Sequence, residues 1–310
     1  MTTAQRLENR VPWRVSLHGG HSGDYCDHAE GSLRTILEAA VAAGYHTFGV
    51  SEHVPRTREQ DLYPNEITMG WTVAKLAADF ARYTQALPEL VAEFADRLIV
   101  LRGFEAEVIP PGEYVEQMRA HWNRRLPNGD PAYDYFVGSV HFVDDIQIDG
   151  PPESYLKAVE ACGGIEALAV RYYDTVAAMV AALRPHVVGH LDLIKRNVRL
   201  AGFDPAALET LPVRAAVDRA LEAVREHGGI LDLNLAGWRK GLGEPYPAPW
   251  LIRRAHEMAV PFCFGDDSHR TGDVGAGLEA GRDALLRQGV TTITVLTRDA
   301  GAIVRRMIEL

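Results

Sequence analysis

Seven times along this chain a β-branched or aromatic run ends in a polar residue able to do chemistry, and six of these runs lead into a stretch that can turn helical. The runs end at His18 (RVSLH), at Glu52-His53 after Thr47–Val50, at Glu105 (LIVLRGFE), at His141 (YFVGSVH), at His190 (HVVGH), at Asn234 (ILDLN), and at Asp267 and His269 (VPFCFGDDSH). Strand-then-helix repetition permits few folds. Each crossover helix returns the chain to the end of the sheet where it started, so successive strands run parallel. With 310 residues and no linker, low-complexity tract or internal repeat, the expectation is α/β, a TIM-like barrel forming one domain over residues 1–310. An eighth run, Thr291–Leu296, ends in no such residue and is expected to close or edge the structure ahead of a C-terminal helix.

The intervening stretches carry helix signals. Residues 32–44 open with Ser32 as N-cap and stop at Gly44, a C′ glycine. Residues 71–97 contain Pro88, and a residue without an N–H predicts a kink or break there. Residues 163–185 end before Pro185, and residues 204–229 read as a helical pair broken near Pro212, with Asp204 capping and Pro205 in the first helical position. Residues 248–260 and 273–289 complete the set. Two loops are longer than a barrel needs, Pro55–Gly70 after His53 and Val143–Ser154 after His141. Both leave strand C-termini, where parallel barrels keep their active sites, so a lid or substrate wall is expected there.

Composition narrows the function. The chain holds 32 basic and 42 acidic residues, net −10, and its basic clusters are short, such as Arg124-Arg125 and Arg253-Arg254. That opposes nucleic-acid binding and leaves a small phosphorylated metabolite as the expected partner. No 18-residue apolar run occurs and MTTAQRLENR has no apolar stretch after its charges, so neither secretion nor a membrane partner is expected. Three cysteines are too few for a disulfide framework, which points to a reducing, cytoplasmic compartment.

One chemical group dominates: His18, His21, His28, His53, Glu105, His141, His190, Asp267 and His269, all at or just beyond strand ends. A lone histidine in such a place is more often a hydrogen-bonded core or loop residue than a ligand. Seven of the twelve histidines at strand ends, joined by two carboxylates, are not explained that way. His46, His121, His186, His227 and His256 lie in helices, at helix ends or at a strand start and are read as structural. Nine donors exceed the three or four that one catalytic zinc takes, so two or three divalent ions are expected, bridged by Glu105. Imidazole and carboxylate suit zinc, iron or manganese better than copper.

The ordered motifs S-L-H-G-G-H-S-G-D-Y-C-D-H-A, G-V-S-E-H-V-P, R-G-F-E-A-E-V, G-S-V-H-F-V, V-G-H-L-D-L-I-K, D-L-N-L-A-G-W-R-K and F-G-D-D-S-H resemble those of the PHP (polymerase and histidinol phosphatase) metallohydrolases, most closely their histidinol-phosphatase branch. The resemblance spans about residues 15–280. It implies a distorted (β/α)7 barrel with a trinuclear centre at its C-terminal mouth. One metal would take His18, His21, Glu105 and Asp267, a second Glu105, His141 and His190, and a third His28, His53 and His269. A hydroxide between metals would attack a phosphomonoester, with L-histidinol phosphate the leading substrate. Another small phosphoester (a nucleotide, sugar phosphate or cyclic phosphodiester) and a non-catalytic metal-binding module are the alternatives. The first motif departs from the family's H-x-H. On a regular strand His18 and His21 would face opposite ways, so a glycine bulge is expected to re-aim the second, with Asp24 as the substitute ligand.

Further candidates are less exclusive to one role. Asp192 orients a ligating histidine or caps a helix. Asp267 or Asp266 is the side chain first considered for protonating the leaving group. Arg171, Lys195, Arg196 and Arg239 are phosphate candidates, and Trp238 and Tyr63 could pack on an imidazole of the substrate. Glu52, Glu107, Asp144 and Asp145 could form an acidic wall for its amine. Gly103, Gly138, Gly189 and Gly265 suggest close approach of metal-bound groups, and Cys26 is read as a small packing residue.

Overall fold

The computed structural model describes residues 12–299 and 301–310. Its strands are β1 (Val15–Gly20), β2 (Thr47–Val50), β3 (Ile99–Arg102), β4 (Glu105–Ala106), β5 (Val137–Gly138), β6 (Phe142–Val143), β7 (Ile146–Gln147), β8 (Val187–Val188), β9 (Ile230–Asn234), β10 (Phe262–Ser268), β11 (Thr292–Asp299) and β12 (Ala302–Glu309). Eight form one sheet in the order β3-β2-β1-β10-β9-β8-β5-β4, and every pairing in it is parallel. The sheet is curled. Its outermost members, β3 and β4, are successive pieces of one stretch interrupted only by Gly103 and Phe104. This is the α/β, TIM-like arrangement that the strand-then-helix repetition requires.

β1, β2, β9 and β10 are buried along their whole length, as parallel strands covered on both faces must be. One continuous apolar core runs from Val15 to Leu296. Helix Leu33–Ala42 contributes Ile36, Leu37 and Ala40, and helix Leu211–His227 contributes Val213, Val217, Leu221 and Val224. Fully burying one Val or Leu side chain stabilises by about 1.5–3 kcal/mol, so these two faces alone anchor their helices firmly. Ser32 caps the first helix by accepting from Thr35 N at 3.2 Å, and Asp204 accepts from Ala206 N at 2.9 Å ahead of the turn Pro205–Leu208.

Several expectations need correction. Pro88 does not end its helix, which runs from Val73 to Phe94. Leu87, Leu90 and Phe94 are buried beyond or beside it, and that packing outweighs the one lost hydrogen bond. The expected helix over 163–185 is present as Ile165–Leu183, but a further helix, Pro152–Cys162, precedes it across Gly163-Gly164. The expected C-terminal helix is instead the strand β12, paired antiparallel with β11 from Asp299↔Ala302 to Thr292↔Glu309. Ile303, Val304 and Ile308 are β-branched and suit a ladder, and Gly301 at φ +86° supplies the reversal. Helix Tyr114–Trp122 and the small hairpin β6–β7 were not expected.

Of the four glycines, Gly138 and Gly265 lie in strands and Gly103 and Gly189 just beyond them, and two serve packing rather than the site. A Cβ at Gly103 would lie 2.5 Å from the Tyr135 ring, and one at Gly138 would lie 2.6 Å from Met179 Sδ. The other two do adjoin the histidines: a Cβ at Gly189 would lie 3.1 Å from His18 Cε1, and one at Gly265 would lie 2.5 Å from Asp232 Oδ2.

Candidate metal centre

The first motif folds as a bulged strand. The register of β1 against β10 shifts on both sides of His18, and the glycine pair sits in that irregular stretch. Gly19 has no room for a side chain, because its Cβ would come within 1.8 Å of Gly49 O. The result is that His18 and His21, both wholly buried, turn toward the same carboxylate. Asp24 stands elsewhere, accepting from Leu33 N at 2.9 Å.

That carboxylate is Glu105, the first residue of β4, and five imidazoles reach it. Oε1 lies 3.4 Å from His18 Nε2, 3.2 Å from His190 Nε2 and 3.7 Å from His141 Nε2. Oε2 lies 2.8 Å from His53 Nδ1 and 3.7 Å from His21 Nε2. Burial alone would raise its carboxyl pKa, but His18, His53 and His141 together hold it well below the usual range. The rings feel the same competition. Burial works against protonation of His141, yet Glu107 and Glu105 push it up to about 10. Burial and the neighbouring His21 push His53 down to about 3. So dense a set of opposed shifts marks a place built for positive charge.

Asp267 closes the cluster from β10, at φ +50°, with Oδ1 3.5 Å from His21 Nε2 and 3.8 Å from His269 Nδ1. Asn234 Nδ2 donates to its Oδ2 at 3.1 Å. Donor atoms fall within 4.8 Å of one another in five overlapping groups: His18, His21 and Glu105; His18, His190 and Asp267; His21, Asp267 and His269; Glu105, His141 and His190; and Cys26, His28, His53 and His269. His18 Nε2, both nitrogens of His21, His53 Nε2 and His190 Nδ1 are buried without a hydrogen-bond partner. An unpartnered buried nitrogen is costly, and divalent ions fit these groups because coordination supplies the missing partner.

Behind the rings stands a layer of carboxylates. Asp232 Oδ2 is 2.8 Å from His18 Nδ1, and its Oδ1 accepts from His190 N at 2.6 Å. Glu107 is hydrogen-bonded to His141 Nδ1, and Asp27 Oδ1 lies 2.9 Å from His28 Nδ1. Glu52 Oε2 lies 3.6 Å from His21 Nδ1 while Ser22 N and Oγ donate to its Oε1. Such pairs fix which ring nitrogen carries the proton and leave the other for metal. Glu52 and Glu107 are therefore engaged behind the ligands rather than forming an acidic wall. Asp144 and Asp145 pair at the surface with Arg171 and Arg58. Asp232 went unread in the sequence, although its place two residues before Asn234 on one strand puts both on the same face.

The cluster opens into a cavity of about 470 Å³ lined by His28, His53, Glu105, His141, His190, Asp267 and His269, with His18 and His21 beneath. The two long loops supply its wall, Tyr63, Pro64 and Asn65 from one, Gln147, Asp149, Gly150 and Pro151 from the other. Arg196 and Arg239 line it, joined by Lys240, Arg270, Asp27, Asp149, Asp273 and Tyr246, which the sequence reading did not single out. Arg239 donates to the carbonyls of Asp266 and Asp267 and so braces the turn carrying Asp267.

Other candidates lie away from the cavity. Arg171 forms an exposed fork with Asp144. Lys195 is held by Asp192, Glu244 and the Pro245 carbonyl. Asp192 Oδ2 accepts from Ala248 N at 2.8 Å. Asp266 faces away, accepting from the Tyr45 hydroxyl at 2.6 Å and Gly275 N at 2.7 Å, and burial raises it to about 6 although Arg239 opposes this. Trp238 packs against the core and adjoins Gly277.

What these strand ends assemble is a metal-binding α/β domain of the hydrolase kind. Residues 18–236 match the family described as the PHP domain, and the chain belongs to that family. A relative from Schizosaccharomyces pombe, named "Probable histidinol-phosphatase", is 31% identical over 287 residues, covering 92% of this chain and 90% of its own. A crystal structure from Listeria monocytogenes shares the fold with TM-score 0.74 at 23% identity, over 86% of this chain and 99% of its own. The Lactococcus lactis histidinol phosphate phosphatase, complexed with zinc, L-histidinol and phosphate, overlays with TM-score 0.64 at 17% identity, over 94% and 99%. Membership supports a metal-dependent phosphoesterase activity. Among the described residues no helix is long and apolar enough to cross a membrane.

Proposed function

We propose that this protein hydrolyses L-histidinol phosphate to L-histidinol and phosphate on two or three divalent ions (zinc, iron or manganese) at the C-terminal mouth of a distorted (β/α)7 barrel. The observation that carries this reading is Glu105, whose two oxygens are approached by five imidazoles, an arrangement suited to bridging dications. The seven-stranded count follows from treating β3 and β4 as one interrupted strand, and a single domain is supported by the one continuous core. When bound, the ions supply Lewis acidity and a water acidified to a pKa of about 7.

The chain's own residues do the rest. Glu105 and the Nε2 atoms of His18, His141 and His190 would hold the deep ions, with Asp232 and Glu107 keeping His18 and His141 in the tautomer that leaves Nε2 for metal. Arg196, Lys240 and Arg270 present positive charge to the phosphoryl oxygens, while Arg239 holds Asp267 in place. Asp149 and Asp273 on the cavity wall suit a substrate that carries an amine. The names of the S. pombe relative and of the L. lactis complex favour histidinol phosphate within the phosphomonoesters. Three free cysteines are in keeping with a cytoplasmic setting.

The test is a panel of histidinol phosphate, nucleoside monophosphates, sugar phosphates and a cyclic phosphodiester under saturating manganese or zinc. Metals grip only the shared phosphoryl group, so discrimination comes from the amine and ring contacts and appears in kcat/KM. Contacts worth ~3 kcal/mol set histidinol phosphate ahead by at least ~10². A nucleotide or cyclic diester leading by that margin overturns the substrate assignment.

A further inference from the structure

The sulphur of Cys26 lies 3.3 Å from Nδ1 and 3.6 Å from Nε2 of His28, and within 4.8 Å of donor atoms of His53 and His269. In each of these three rings Nδ1 is already engaged. His28 pairs with Asp27 Oδ1 at 2.9 Å, His53 with Glu105 Oε2 at 2.8 Å and His269 with the Asp267 carbonyl at 3.1 Å. Three Nε2 atoms are left over, and that of His53 is buried with no partner. Zinc bound tetrahedrally, with Zn–N of about 2.05 Å and Zn–S of about 2.3 Å, holds its nitrogen and sulphur donors roughly 3.6 Å apart. The separation of Cys26 Sγ from His28 Nε2 matches it.

We propose that Cys26 is a metal ligand, and that its thiolate with His28, His53 and His269 forms a four-donor site selective for zinc over manganese. The inference rests on the metal centre argued above and deepens it. A soft sulphur donor favours zinc or cobalt(II), whereas the groups around Glu105 offer only imidazole and carboxylate and discriminate less strongly against manganese. On binding, the S–H bond is replaced by a sulphur–metal bond and the proton leaves to solvent. The chain would thus hold ions of two chemical kinds within one cavity.

Cobalt(II) is the probe. A thiolate bound to it gives an intense near-ultraviolet charge-transfer band that imidazole and carboxylate do not give. The metal-free full-length protein, its Cys26→Ala and Cys26→Ser variants, and a Cys162→Ala control are titrated with cobalt(II) and their metal content is measured. We expect the wild type and the control to develop the band, saturating at one equivalent. Both Cys26 variants should lack it while losing no more than one ion. Stoichiometric zinc should erase the band, and a tenfold excess of manganese should leave it. Two or three bound cobalt ions with no band, or a band that persists in Cys26→Ala, overturns the sulphur ligand and leaves the metal centre standing. Failure of the wild type to bind cobalt at all overturns both. Should the Cys26 variants not fold, the wild type and the control decide by the zinc and manganese competition, because a band that manganese displaces as readily as zinc refutes the selectivity.

Discussion

Replacing Asp232 by asparagine should separate the orientation of a ligand from the ligand itself. The carboxylate has two duties at once: Oδ2 meets His18 Nδ1 at 2.8 Å and receives Asn234 Nδ2 at 3.0 Å, while Oδ1 receives His190 N at 2.6 Å. Every group around it is able to donate. Asparagine keeps the shape, so the tight clearance at Gly265 is preserved, but it offers one acceptor where there were two. If its oxygen stays with His190 N, its amide N–H points at His18 Nδ1. His18 then takes the proton on Nε2, the nitrogen that faces Glu105, and cannot ligate there. Loss of such a supporting carboxylate costs ~10–100-fold in metal affinity, or ~1.4–2.7 kcal/mol. The assay is a competition titration of the metal-free protein with zinc against a chromophoric chelator, run beside urea unfolding to confirm the fold. Asp232→Asn should weaken one ion by that factor and leave the Cys26 group unchanged. All dissociation constants staying within threefold of wild type, in a folded variant, would refute the tautomer argument.

Two further outcomes follow from the same geometry. Glu105→Gln removes one full negative charge from beside five imidazoles, so it should cost at least one ion and bring turnover near background, more than any single His→Ala change there; full metal content with more than a tenth of the activity would show that Glu105 does not bridge. The second concerns stability and pH at His186, which packs between Trp122 and Phe136 and accepts from Phe136 N at 3.3 Å. Burial, helped by Arg305, pushes it down to about 4. Its folded pKa lies below the unfolded value of about 6.5, so its contribution is complete above pH 6.5 and is lost as pH falls toward 4. Between pH 6.5 and 5 the loss is up to ~2 kcal/mol, and urea unfolding of His186→Gln should show a correspondingly flatter decline, equal declines being the contrary result.

The histidine motifs were legible because a strand end announces itself: the apolar alternation stops and the next polar residue must stand at the mouth. The supporting carboxylates were not, since Asp232 lies inside a buried strand where nothing in ILDLN separates a buried acid from a ligand. Lys195 and Arg196 show a second limit. Adjacent in sequence, they sit on a tight turn that sends Lys195 to Asp192 and Glu244 and Arg196 to the cavity. Composition cannot say which goes where. The segment AIVRRMIE mixes helix formers with β-branched residues, and its hairpin pairing with the adjoining β11, turned at Gly301, decided for a strand. Cys26 looks in the sequence like an ordinary small packing residue, and its approach to His53 and His269 exists only once three distant loops meet.

The place of β1 in the sheet has a consequence for how the protein is born. Among the described residues β1 is the earliest strand in the chain, yet one of its two neighbours is β10, more than 240 residues further on. At ~5–20 residues per second, tens of seconds of synthesis pass before that neighbour exists. Throughout that interval one edge of β1 is unpaired, and His18 and His21 lack Asp267 and His269. Only the groups that use Asp267 or His269 would therefore wait for the last part of the chain. A message broken anywhere before the codon for Phe262 would yield not a weaker enzyme but a nascent sheet with a sticky edge, a client for chaperones and proteases.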